Sequence, residues 1–142
     1  DAAKIIKKSY HNVDFQLLGY LDMESPTAIT KKQMDLWEGD GYVKYLGDSE
    51  DVRVDIAKAD CIVLPSFYRE GTPRILLESA SMQIPIITTN TVGCRDVVED
   101  GVNGLIELTK QEDIIDKCRK TAEINFSLEH GIKSYAKIKK TC

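Results

Sequence analysis

The sequence predicts an α/β fold in which a parallel sheet is covered by helices on both faces. Three observations carry that prediction. Strand-like and helix-like segments alternate almost throughout the 142 residues, a pattern that builds parallel sheets through right-handed crossovers. Cys61-Ile62-Val63-Leu64-Pro65 is a short continuous apolar run between turn residues, as suits a strand buried on both faces of such a sheet. The length suffices for one domain with a sizeable core and is short for two.

The elements follow in order. Residues 2–10 read as the later part of an amphipathic helix, with Ile5 and Ile6 inward and Lys4, Lys7 and Lys8 outward. Asn12 ends it, and residues 13–19 are rich in β-formers and predict a strand. Ser25-Pro26-Thr27 opens a polar region leading to a short helix over 30–37, which Gly39-Asp40-Gly41 closes. Residues 42–47 alternate like a strand, and residues 51–57 make a brief helix. The apolar strand at 61–65 leads through a loop at Glu70-Gly71 into a helix over 73–82. Residues 84–88 form another apolar strand, 94–99 look helical, and 101–107 hold a turn and a short strand. Two helices close the chain at 111–125 and 129–140. Neither an internal repeat nor a low-complexity segment interrupts this order.

Composition narrows the function. A net charge of −4 gives no reason to expect nucleic acid, which selects a strongly basic face. No uninterrupted apolar stretch approaches the roughly 20 residues that span a bilayer, and no charged start with an apolar run reads as a secretion signal. A cytoplasmic chain is expected. Cys61, Cys94, Cys118 and Cys142 lack C-x-x-C spacing, which argues against zinc and against a disulfide framework. Cys61, in its apolar run, reads as a buried reduced thiol rather than a nucleophile. His11 and His130 flank helices and read as exposed rather than as ligands.

In open parallel sheets, ligands bind beyond the carboxyl ends of the strands. The loops of interest therefore follow Leu18, Leu46, Leu64 and Thr88. The third, Pro65-Ser66-Phe67-Tyr68-Arg69-Glu70-Gly71-Thr72-Pro73, is the most informative. Thr72 suits a helix N-cap and Pro73 the first helical position, where a missing N–H costs nothing. The amides of Arg74 and Ile75 would then lack intrahelical partners and, with the helix dipole, favour an anion such as a diphosphate. Gly71 would let the backbone approach that ligand. Glu70 and Glu78 bracket the helix end, and a carboxylate can accept from both vicinal hydroxyls of a ribose or hexose. The same residues fit a plainer account. Arg74 lies four residues from each glutamate, the spacing of a surface ion-pair ladder.

The run Leu64-Pro65-Ser66 to Arg69-Glu70-Gly71-Thr72-Pro73-Arg74-Ile75-Leu76-Leu77-Glu78 resembles a known family. So do Ile84-Pro85-Ile86-Ile87-Thr88-Thr89-Asn90 with Gly93, and Val97-Val98-Glu99-Asp100-Gly101-Val102-Asn103-Gly104-Leu105-Ile106. Together they are similar to the carboxy-terminal domain of retaining glycosyltransferases of family 4, strongly so over residues 42–106. That resemblance implies a Rossmann-like three-layer sandwich forming one half of a GT-B fold, with Glu70 and Glu78 matching the family's Glu-x7-Glu motif. It implies that Glu78 holds the ribose hydroxyls and that Glu70, as the catalytic residue, faces the donor sugar and its anomeric centre. The backbone around Gly71, Thr72, Arg74 and Ile75 would meet the diphosphate, and the loop from Gly47 through Ser49 to Asp51 would lie against the base. Gly93 would allow a tight loop near the donor, a packing glycine being the equal alternative, and Asn103-Gly104 would be a structural turn.

Departures from the family carry weight too. The family's domain normally opens with a strand, a Gly-Arg pair and a Lys-Gly pair whose charges neutralise the diphosphate, and none precedes Asp1. Asp96 stands where the family often has Glu. Residues 1–142 are thus expected to be a donor-binding domain truncated at its N-terminal side, binding donor weakly and catalytically inactive alone. No Asp-x-Asp appears, so neither a metal nor a cofactor is expected beyond the nucleotide-sugar co-substrate.

The activity implied is retaining transfer of a hexose from a nucleoside diphosphate sugar, UDP by analogy, to a growing glycan. The Tyr68-Arg69-Glu70-Gly71 wording resembles bacterial enzymes that build surface polysaccharide or lipid-linked oligosaccharide. The acceptor, a glycan or polyprenyl-linked oligosaccharide, would be bound by a further domain. Lys133, Lys137, Lys139 and Lys140 could attach such an enzyme to an anionic inner membrane face or simply form a solvated helix face. A sugar-nucleotide epimerase of related fold and a non-catalytic nucleotide-binding module remain alternatives, whereas a Rossmann dehydrogenase lacks its G-x-G-x-x-G.

Overall fold

The order of elements is that read from the sequence, with shorter segments and different faces. A computed structural model describes residues 2–21, 28–66 and 71–107. The expected helices over 111–125 and 129–140, the lysines of the second, Ser25-Pro26-Thr27, and residues 67–70 lie outside the described residues. The chain divides into two compact units, Asp1–Val52 and Arg53–Cys142.

The first unit holds α1 (Ala2–Ser9), β1 (Gln16–Leu18), α2 (Lys31–Gly39) and β2 (Lys44–Gly47). β1 and β2 pair in parallel, Gln16 opposite Lys44 and Leu17 opposite Tyr45, before the register shifts to set Leu18 against Gly47. Gly47 has φ +79°, a conformation that favours glycine. Its carbonyl accepts from the amide of Gly19 at 2.9 Å, and the Tyr45 hydroxyl donates to the Gly19 carbonyl at 2.7 Å. Thr30 caps α2, accepting from the amide of Gln33 at 3.2 Å. The inward face of α1 is narrower than expected. Ile6 is buried while Ile5 is 42% exposed, because adjacent helical residues point about 100° apart. Lys7 is not simply outward either. Its Nζ donates to the carbonyl of Gly41 at 2.8 Å and lies 3.8 Å from Asp14, the stem half-buried and the head paired.

After α3 (Val52–Ile56), the second unit continues with β3 (Ile62–Leu64), α4 (Arg74–Ser81), β4 (Ile86–Thr89), α5 (Val92–Arg95) and β5 (Gly104–Glu107). Its three strands are parallel in the order β3-β4-β5, with Ile62, Val63 and Leu64 opposite Ile86, Ile87 and Thr88. β4 is central, and all four of its residues are buried. The sequence predicts β3 buried on both faces, but among the described residues it pairs on one side alone, with β4, and its Val63 is 52% exposed. Continuous apolar character marks a strand as able to be buried; it does not say which strand is central. The core gathers Leu76 of α4, Ile86 of β4, Cys94 of α5 and Val98, with Leu64, Ile75, Ala80, Val97 and Ile106 packed around it.

α4 ends in a sealed turn. The amide of Gln83 donates to Ala80 and that of Ile84 to Ser79, both at 3.0 Å, the paired bonds of a Schellman motif. The residue in the left-handed position, usually glycine, is here Gln83 at φ +62°. α5 was expected over 94–99 and instead starts earlier and stops at Arg95. Its continuation is taken over by Asn103, whose Oδ1 accepts from the amide of Glu99 at 2.8 Å and whose Nδ2 donates to Val97 at 2.9 Å. Asn103 therefore serves the turn, as read from the sequence.

Candidate functional site

Where β3 ends, Leu64, Pro65 and Ser66 leave the sheet beside the end of β4. Strand alternation sends Thr88 and Thr89 to opposite faces of a buried strand, so each hydroxyl needs an acceptor inside the protein. Thr88 Oγ1 donates to the carbonyl of Leu64 at 2.9 Å. It also lies 3.1 Å from the Sγ of Cys94; a hydroxyl has one proton, so the thiol supplies the proton of that contact. Thr89 Oγ1 donates to the carbonyl of Ser66. Both threonines are 2% exposed. Neither was singled out from the sequence, although two adjacent threonines closing a buried apolar strand are a readable signal that their hydroxyls hold something.

α4 begins after this loop, one residue later than expected. Pro73, with φ −65° and ψ 127°, is the N-cap, and Arg74 is the first helical residue. Thr72 is exposed and makes no capping bond, since the cap position has passed to its neighbour. The chemical expectation survives that shift. The Pro73 carbonyl accepts from Leu76 at 3.1 Å and Leu77 at 3.5 Å, and among the described residues no hydrogen bond reaches the amides of Arg74 and Ile75. Polarity at the far end of α4 is satisfied by the Schellman turn, so its open donors are at the loop end.

Glu78 sits one turn inside α4 and is half-buried, while Arg74 is exposed. The ion-pair ladder is not formed between them: no salt bridge joins Arg74 to Glu78. Glu70, the residue expected to face the donor sugar, lies outside the described residues. Gly71 and Thr72 are exposed. Gly93 is buried in α5 directly against them, and a Cβ built there would overlap the Gly71 carbonyl and come within 3.1 Å of the Thr72 nitrogen. Of the two readings of Gly93, close packing is the one seen, and what it packs on is the loop that precedes α4. Asp96, by contrast, is exposed at the C-cap of α5.

The remaining expected residues belong to the first unit. Gly47 ends β2, and the Asp48 carboxylate accepts from the amide of Ser49 at 3.0 Å, which tightens the turn leading to Asp51. Ser49 and Asp51 are half-buried. Among the described residues no group of three or more His, Cys, Asp or Glu could hold a metal ion, and no helix is long and apolar enough to cross a membrane.

With this geometry in place, similarity to known proteins becomes informative. The sequence model described as "Glycosyl transferases group 1" matches residues 1–123. An alpha-1,3-N-acetylgalactosaminyltransferase of Campylobacter jejuni, acting on N,N'-diacetylbacillosaminyl-diphospho-undecaprenol, is 30% identical over 105 residues, covering 73% of this chain and 26% of its own. The amylovoran biosynthesis glycosyltransferase AmsK of Erwinia amylovora is 25% identical over 111 residues, with the same two coverages. The chain thus spans about a quarter of the length of these relatives. Among solved structures, the GtfA/B complex superposes with a TM-score of 0.72 at 16% identity, covering 95% of this chain and 28% of that one. HepE of Anabaena, in complex with UDP, gives 0.64 at 16% identity, with coverages of 96% and 47%. These likenesses establish a Rossmann-like α/β fold of the kind found in GT-B proteins.

Proposed function

Because the chain belongs to the glycosyl transferases group 1 family, we propose that it is the donor-binding part of a retaining hexosyltransferase that uses a nucleoside diphosphate sugar. UDP is the nucleotide favoured, since structural neighbours are complexes with UDP. The acceptor is a growing surface polysaccharide or a lipid-linked oligosaccharide, a reading supported by relatives named for Vi polysaccharide biosynthesis and for a diphospho-undecaprenol substrate, and it is bound by a part of the enzyme outside these 142 residues.

One observation carries the reading. The open amides of Arg74 and Ile75 at the start of α4 stand one turn from the half-buried Glu78. A diphosphate at that helix end would receive two backbone hydrogen bonds and the positive end of the dipole. Glu78 would accept from the ribose hydroxyls, Glu70 would face the hexose, and Gly47, Ser49 and Asp51 would lie along the base. In the reaction, the bond from the anomeric carbon to the diphosphate breaks. An acceptor hydroxyl forms the new bond and gives its proton to the departing diphosphate, and the anomeric configuration is retained. Donors aimed at the departing diphosphate stabilise the charge that develops there.

An amide-shift titration with UDP, against GDP and ADP, tests this. UDP should move the amides of residues 47–51 and 71–78. Stronger shifts from GDP would change the donor and keep the site. Silence at those amides with every nucleotide, in the full-length protein as well, would sink the proposal.

A further inference from the structure

The end of β3 and the approach to α4, either side of the span between them, both meet the short connection that leaves β4. Thr89 donates to the carbonyl of Ser66, the last described residue before the span. One turn of chain later, Gly93 packs against the carbonyl of Gly71 and the amide of Thr72, the first described residues after it. Thr88 adds a bond to Leu64 at 2.9 Å. We propose that residues 88–93 are the positioning element of the donor site: Thr89 fixes where the chain leaves β3, and Gly93 fixes where it enters α4.

Chemistry and place both support this role. A hydroxyl that is 2% exposed and bonded to a loop carbonyl holds that carbonyl against a low-dielectric background, where the bond is strong and its loss costly. The contact at Gly93 is backbone against backbone, with no flexible side chain that could give way. Both anchors belong to one short connection leaving the central, fully buried strand. Ends tied to a common support keep a constant separation, which is what the open amides of Arg74 and Ile75 need to meet a diphosphate repeatedly in one geometry. The inference rests on the donor-site reading for its function and on the hydrogen bond itself for its mechanism.

Two measurements on the full-length protein separate those layers. Thr89→Val keeps the shape and removes the hydroxyl; Thr89→Ser keeps the hydroxyl and removes the methyl. In the valine variant, amide hydrogen exchange at Ser66, Gly71 and Thr72 should rise about ten-fold, UDP affinity measured by calorimetry should fall about ten-fold, and serine should restore both. Thr89→Ala, which removes the hydroxyl without a buried mismatch, serves the same comparison should the valine chain fail to fold. Unchanged exchange in a variant lacking the hydroxyl overturns the anchoring. Faster exchange with unchanged UDP affinity overturns the positioning role. Wild-type protein that ignores UDP overturns the donor reading and the role together, while the exchange data still decide the anchor.

Discussion

At the residue scale, Glu78 separates the two accounts of the glutamate pair. A ladder residue contributes to stability and little else, whereas a ribose ligand contributes to binding and little to stability. Glu78 is half-buried and forms no ion pair with Arg74. Glu78→Gln should therefore weaken UDP about ten-fold, the scale of one hydrogen bond to a charged group, and leave the melting temperature nearly unchanged. A melting temperature that drops while UDP binding holds would favour the ladder. Gln83 carries a second prediction at this scale. A non-glycine residue in the left-handed conformation costs roughly 1 kcal/mol, and Gln83 occupies it at φ +62°. Gln83→Gly should stabilise the chain by about 0.5 kcal/mol in urea unfolding, after the added freedom of the unfolded glycine is allowed for. The place of Glu78 one turn inside a helix was legible in the sequence, because the segment that carries it shows a helical start and period. The shift of the cap from Thr72 to Pro73 was not legible, since either residue can stand there and only backbone angles choose.

At the element scale, alternation of strand and helix was readable because each element's period shows in its own residues. Faces were read less well. The sequence places Val63 and Ile5 inward, yet both are half-exposed, because an apolar side chain reports what it tolerates and its neighbours decide what it receives. α5 was misjudged for another reason: its end is set by Asn103, eight residues beyond Arg95. The contact between α5 and the start of α4 had no sequence signal except that position 93 is glycine. It leads to a firm expectation. Gly93→Ala forces a Cβ into backbone atoms that have no rotamer to change, and overpacking of this kind costs about 1–3 kcal/mol. Chemical unfolding should show that loss, together with increased hydrogen exchange at Gly71 and Thr72. A fully stable alanine variant would mean that the two segments part at little cost.

At the scale of the whole molecule, charge and exposed apolar side chains act together. Net charge is −4 at neutral pH and the sequence isoelectric point is about 5.2. Leu36, Val54, Val63, Leu77 and Val92 are each at least half exposed. Repulsion keeps such molecules apart only while the charge persists. Light scattering of the 142-residue chain should therefore peak near pH 5 and fall toward pH 8, with added salt raising the scattering at pH 8. A flat profile would show that the exposed side chains are too dispersed to adhere. Parallel strand direction was legible at this scale, because among the described residues each of β1 to β4 is followed by a helix. How the strands group into sheets was not, for a pattern of faces does not name a strand's neighbour. Of the proposed donor site, the open amides of Arg74 and Ile75 were legible in the sequence, and the buried bonds of Thr88 and Thr89 behind it were not. The buried threonines of β4 have a consequence for anyone redesigning this chain. Replacing an interior threonine with valine is a customary way to harden a protein, but here it strips the carbonyls of Leu64 and Ser66 of their buried donors. At β4 the same side chains fill the interior and shape the loop above it, so a search for hardier versions should begin at Gln83, where only the backbone is at stake.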